Sequence, residues 1–270
     1  MLEAVSQVSQ QSMNGMLFTA LVSFLLPIAL IISVKVNFKT KVSNFFVGCV
    51  TYVFFAMFLE ALFHGLILKL TGTAFSDQKV LYAIFVGLTA AVFEEIGRYI
   101  VMKYWMKDKL NRGSAIMYGV GHGGVEAITV IGISYASNYL IAKMINSGQL
   151  EETLLAMDET MRADTINSLS SLWTSPAADF YVAGIERISV IILQIALSFL
   201  MFRAVKRNDP RLITMTMLIH FLIESITIIL SLYIPIFVLE GILLVAVLAI
   251  AVVIFKMYWK EEGGAINERL

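Results

Sequence analysis

Seven long apolar stretches run through this chain, and they limit its fold more than any other feature. They cover 16–34, 42–68, 80–102, 114–142, 178–202, 212–232 and 233–255. A helix needs about 20 mostly apolar residues to cross a bilayer, since it rises ~1.5 Å per residue through a hydrocarbon core of ~30 Å. All seven meet that length, and the excess in the second and fourth predicts tilt or extension past the bilayer. Hydrophobic residues make up 59% of the 270 and charged residues 15%, against roughly 25% charged in an average soluble protein. A soluble fold could not cover so much apolar surface. Lys plus Arg and Asp plus Glu are 20 each, so there is no basic excess and nucleic-acid binding is not expected. The expectation is an all-α polytopic membrane helix bundle, a single membrane domain over 1–270 surrounded by lipid bilayer.

The loops predict its orientation. Fourteen of the 20 basic residues fall after the first, third and fifth stretches and in the C-terminal tail, which holds Lys256, Lys260 and Arg269. The alternate loops hold only Lys69, Lys79, Lys143 and Arg162. Lys and Arg collect on the cytoplasmic side, which predicts an external N-terminus and a cytoplasmic C-terminus. The polar segment 1–14 contains Glu3 but no Lys or Arg, so it lacks the basic region of a cleaved signal peptide and the first stretch is expected to stay as a helix. The loop 146–177 carries Glu151, Glu152, Asp158, Glu159 and Asp164. Its Leu150, Leu154, Met157, Met161 and Leu172 recur at roughly helical spacing, which predicts an external amphipathic surface helix. The single cysteine, Cys49, lies in an apolar run and reads as a small apolar packing residue.

Against this background, the ionisable residues inside the stretches stand out. An Asp, Arg or Lys at the centre of a membrane helix costs roughly 2.5–3.5 kcal/mol on insertion scales. Yet the second stretch has Glu60 and His64, the third Glu94, Glu95 and Arg98, the fourth His122 and Glu126, the fifth Glu186 and Arg187, and the sixth His220 and Glu224. All three histidines of the chain are in this set. Glu94 precedes Lys103 by nine residues, His122 follows Gly113 by nine, and His220 follows Arg211 by nine. Each therefore sits ~13 Å from the basic-loop end. Glu126 and Glu224 lie one turn further in, on the same helix faces as their histidines. Counting residues fixes these depths and leaves rotation about each axis open. Glu186 and Arg187 are expected to close an ion-pair network between helices, and Glu240 is expected at the far membrane interface.

Imidazoles and carboxylates at one depth suit two ways of activating water. A carboxylate acts as general base while histidines orient the water or hold the oxyanion. Alternatively, His122, His220 and Glu94 ligate a metal that acidifies bound water. Arg98 is three residues from Glu95 and four from Glu94 and reaches either. The expected division is one glutamate fixed by Arg98 and one free for chemistry. Cavity access is expected from the cytoplasmic half. No His-Glu-x-x-His or Gly-x-Ser-x-Gly sequence is present. Gly119 and Gly123 bracket His122 at the spacing of a helix-packing seam.

The strings Phe93-Glu94-Glu95-Ile96-Gly97-Arg98, Gly121-His122-Gly123-Gly124-Val125-Glu126 and His220-Phe221-Leu222-Ile223-Glu224 resemble motifs of YhfC-type membrane peptidases. That family is similar to CAAX prenyl-proteases and bacteriocin-processing enzymes, to PrsW-type proteases and to the non-catalytic Aph subunit of gamma-secretase. The resemblance implies a multi-pass intramembrane peptidase of a bacterial plasma membrane, acting on membrane-protein or peptide substrates. It implies Glu94 or Glu95 as the base, with His122 and His220 orienting water or binding Zn2+. Arg98 would fix the other glutamate, and Glu126 and Glu224 would support the histidines. Both a zinc-bound and a metal-free water remain open. This chain has one residue fewer before Arg98 than the prenyl-protease motif, and Glu224 where that group has Asn or Asp. The rival readings are a non-catalytic scaffold and a proton-coupled transporter.

Overall fold

In a computed structural model, residues 5–259 are described. Glu3, Lys260 and Arg269 of the sequence argument lie outside them. Seven helices are long and apolar enough to span a membrane: Gln10–Phe38, Ser43–Thr71, Lys79–Trp105, Arg112–Asn146, Ala177–Arg207, Pro210–Ser231 and Ile236–Tyr258. Each contains most of one apolar stretch, and no strand occurs among the described residues. The protein is a multi-pass membrane helix bundle. The last two spans meet in a tight turn, with Pro235 capping the seventh, where its missing N–H leaves nothing unsatisfied.

Burial separates the spans. In the fourth and fifth, 61% and 72% of the most apolar window is buried, against 22–39% in the other five. The fifth span is therefore the central post, and the fourth packs on it through Gly119 and Gly123. A Cβ on Gly119 would lie 2.7 Å from the Cα of Ile195, and one on Gly123 would lie 2.9 Å from the Cβ of Gln194. The opposite face of the fourth span meets the second. There a Cβ on Gly121 would collide with the carbonyl oxygen of Phe45, and one on Gly48 with that of Tyr118. Backbone touches backbone on both sides of His122. Cys49 sits in the same seam, its thiol donating to the Gly121 carbonyl at 3.2 Å.

The two ends of the bundle are packed differently. At the basic-loop end, Met102, Leu110, Met117, Tyr118, Phe199 and Phe202 belong to one buried apolar cluster. At the other end, Val8, Met16, Ile145, Leu154, Leu172 and Phe180 form a second. The acidic loop joins this second cluster as three short helices, Gln149–Leu155, Glu159–Leu169 and Ser171–Thr174, and not as one amphipathic helix. Asp158 caps the middle one, its side chain accepting from Met161 N at 2.9 Å, so the chain restarts there. Leu150, Leu154 and Leu172 turn inward as expected, whereas Met161 is exposed. Three π-helical runs, Val53–Glu60, Val101–Trp105 and Ile128–Gly132, interrupt the second, third and fourth spans. Such widened turns frequently accompany functional sites. Here one ends on Glu60 and another begins just after Glu126.

Candidate functional site

The third, fourth and sixth spans bring five of the sequence-selected side chains together. Glu94 Oε2 lies 2.8 Å from His122 Nε2 and 3.9 Å from His220 Nε2. His220 Nδ1 lies 2.9 Å from Glu95 Oε1. Arg98 makes its ion pair with Glu95, at 3.5 Å, with both side chains wholly buried. The equal depths in the sequence thus correspond to a real convergence, and rotation has turned Glu94 and Glu95 toward different histidines.

The two imidazoles are held in different ways. A carboxylate only accepts, so Glu95 requires a proton on His220 Nδ1, and in the neutral imidazole the Nε2 lone pair is directed at Glu94. Arg98, Glu95 and His220 form a chain ending on that lone pair. His122 has the reverse polarity: its Nε2–H donates to Glu94, and its buried Nδ1 has no partner among the described residues. The Tyr52 ring packs edge-on against His122, centroids 5.2 Å apart.

The expected roles of two glutamates are corrected by these contacts. Glu126 does not bond His122, although the two are four residues apart. His122 is drawn sideways to the third span, and Glu126 accepts instead from Gln194 Nε2 at 3.0 Å. Glu224 likewise makes no bond to His220, whose Nδ1 is taken by Glu95; it lines the cavity beside the cluster. Glu186 and Arg187 pair with each other and do not tie two helices together. Glu240 is 4% exposed, buried in the bundle.

Gln194 was not singled out from the sequence, and it is the hub of the site. Arg98 Nη2 donates to its side-chain Oε1, and Arg98 Nη1 to its main-chain oxygen at 3.4 Å. Its Nε2 donates to Glu94 Oε2 at 3.1 Å and to Glu126 Oε2 at 3.0 Å. The available signal was a lone amide in the apolar run Ile191-Ile192-Leu193-Gln194-Ile195-Ala196-Leu197, seven residues after Arg187 and so on the same helix face.

A cavity of about 390 Å³ adjoins this cluster. Glu94, Glu126, Gln194 and His220 line its inner end, and Glu60, Glu186, Arg187 and Glu224 line it further along. Its walls run from Glu94 back to Val86, from His220 on to Ile228 and from Gln194 back to Glu186. All three directions lead away from the basic loops. The expected access from the basic-loop half is therefore reversed, because the apolar cluster of Met117, Tyr118, Phe199 and Phe202 closes that end.

The donor set suits a divalent metal such as Zn2+, which takes imidazole and carboxylate ligands. His220 has the hydrogen-bonded second nitrogen typical of a ligating histidine. The expected set was His122, His220 and Glu94. The donor atoms that lie within 4.8 Å of one another belong to Glu94, His122 and Glu126, with His220 facing Glu94 from the cavity side. Another Glu–His pair lies on the second span, against Thr89 of the third. His64 Nε2 is 3.5 Å from Glu60 Oε1, and Thr89 Oγ1 lies between them at 2.6 Å from His64 and 3.1 Å from Glu60.

The sequence model of the family described as "YhfC intramembrane metalloprotease" matches residues 22–255. A Bacillus subtilis (strain 168) protein described as "Uncharacterized membrane protein YhfC" is 35% identical over 215 residues, covering 79% of this chain and 83% of the relative. No solved structure matches the chain.

Proposed function

This chain belongs to the YhfC intramembrane metalloprotease family, and from that premise we propose that it is an intramembrane peptidase that hydrolyses peptide bonds of membrane-protein or peptide substrates. The observation that carries the reading is the meeting of Glu94, His122 and His220, from three spans, with Glu94 and His220 lining the inner end of a cavity. The 3.9 Å between Glu94 Oε2 and His220 Nε2 is too long for a direct hydrogen bond and is a distance at which one water touches both. Such a water gives one hydrogen to each acceptor, which turns its oxygen lone pair toward a carbonyl in the cavity.

Glu94 takes a proton as that oxygen attacks the carbonyl carbon, and returns it to the leaving nitrogen as the C–N bond breaks. His122 Nε2–H holds the Glu94 carboxylate in place. Glu95 and Arg98 keep His220 in the tautomer whose Nε2 accepts. A Zn2+ ion held by the Glu94, His122 and Glu126 set, with His220 adjoining, would supply Lewis-acid polarisation of the water. The Lys and Arg distribution supports an orientation with the basic loops in the cytoplasm of a bacterial plasma membrane and the cavity directed outward.

The test is proteolysis of a membrane-protein pool by reconstituted protein, comparing wild type with Glu94→Gln, Glu95→Gln and His122→Ala, with and without chelator. Cleavage by wild type that fails in Glu94→Gln is expected. Equal cleavage by all four proteins would sink the enzyme reading and leave a scaffold. Accessibility labelling of single cysteines in the loop around Asp158 and near Lys107 tests the orientation.

A further inference from the structure

We propose that the side-chain amide of Gln194 occupies the place of a cation in the cluster, so that a divalent metal ion binds among Glu94, His122 and Glu126 only by displacing it. This rests on the peptidase reading for the purpose of the site, and on hydrogen bonding alone for its mechanism. Glu94 and Glu126 present one carboxylate oxygen each to a single nitrogen, Gln194 Nε2, at 3.1 and 3.0 Å. An amide NH2 has two hydrogens, and each carboxylate receives one. The partial positive charge between two acids is what a metal ion would otherwise provide.

The orientation of the amide is forced. Arg98 has only donors and holds both oxygens of Gln194, the side-chain one and the main-chain one. A rotated amide would set its NH2 against the guanidinium and its oxygen against two carboxylates. The same two oxygens belong to residues whose donor atoms gather within 4.8 Å with those of His122. The third ligand atom is engaged too if His122 binds through Nε2, which donates to Glu94. A cation entering here therefore breaks the Gln194 bonds, and Gln194 acts as a positioning residue that sets metal affinity from inside the ligand shell.

Full-length protein in detergent micelles, stripped with chelator and titrated with Co2+, gives an absorption band whose growth reports binding without reference to activity. Gln194→Ala is expected to bind Co2+ about tenfold more tightly than wild type, the equivalent of one charge-assisted hydrogen bond that no longer has to be broken. Gln194→Met, which keeps the side-chain length and removes the N–H donors, gives the same direction and decides the matter if the alanine variant does not fold. Glu126→Gln weakens binding. Unchanged affinity, or a fall of roughly 10–100-fold as for a supporting outer-shell partner, overturns the proposal. So does the absence of Co2+ binding in wild type and in both Gln194 variants. If wild type then still cleaves substrate, the metal-free peptidase reading stands without it; if Gln194→Ala binds more tightly and wild type cleaves nothing, the peptidase reading fails and the amide assignment stands.

Discussion

Two of the Glu–His pairs in this bundle, Glu60–His64 and Glu94–His122, differ in what surrounds them. Glu60 and His64 come from one helix and share Thr89 of a neighbour, with the His64 side chain 21% exposed. Glu94 and His122 come from two helices, and Arg98, Gln194, Glu95 and His220 complete the group from four spans. In the first pair the Thr89 hydroxyl sits between the two side chains, within reach also of the Phe85 and Val86 carbonyls of its own helix. The second continues through Arg98, Gln194, Glu95 and His220, with Glu94 and His220 lining a cavity. A Glu–His spacing alone therefore does not mark a reactive centre.

Glu94→Gln is the strongest way to sharpen that contrast. Proteolysis should fall by about 10²–10⁴-fold, the usual contribution of a positioned acid or base, with helical circular dichroism unchanged. Glu95→Gln should act through His220 and cost roughly 10–100-fold, as loss of an imidazole's outer partner does; turnover should drop while substrate affinity holds. A backbone comparison comes next. Gly121→Val forces a side chain into the Phe45 carbonyl and should lower stability by about 1–3 kcal/mol, whereas Gly65→Ala, whose Cβ meets nothing within 4 Å, should leave it unchanged or improved in an unfolding titration. The smallest effect is expected from His64→Phe: activity within about threefold of wild type and a stability loss near 0.6 kcal/mol, the average for a hydrogen bond between membrane helices. A large activity loss in His64→Phe would erase the distinction between the two pairs.

The bundle was legible because crossing a bilayer imposes length and apolarity together, and seven stretches satisfied both. Depth was legible for the same geometric reason: a fixed rise per residue puts Glu94, His122 and His220 at one level whatever their rotation. Rotation was not legible. The i,i+4 spacing of His122 and Glu126 predicts a shared face, yet His122 swings to Glu94 and Glu126 to Gln194. Gln194 itself carries no charge, so a search for ionisable residues passed over it. The side on which the cavity lies depends on volume, not on charge; Phe199, Phe202 and Met117 fill one end, and nothing in their spacing says so.

The second span is wound with i→i+5 bonds over Val53–Glu60, and that changes how its faces line up. Each extra residue in such a turn sets everything beyond it back in phase by about 100°, one residue's share of an α-helical turn. Gly48 and Tyr52, before the run, look toward the fourth span; Glu60 at its end and His64 beyond it look toward the third. One helix thus addresses two neighbours in succession. A reading of this span with one constant period would aim its second half at the wrong partner.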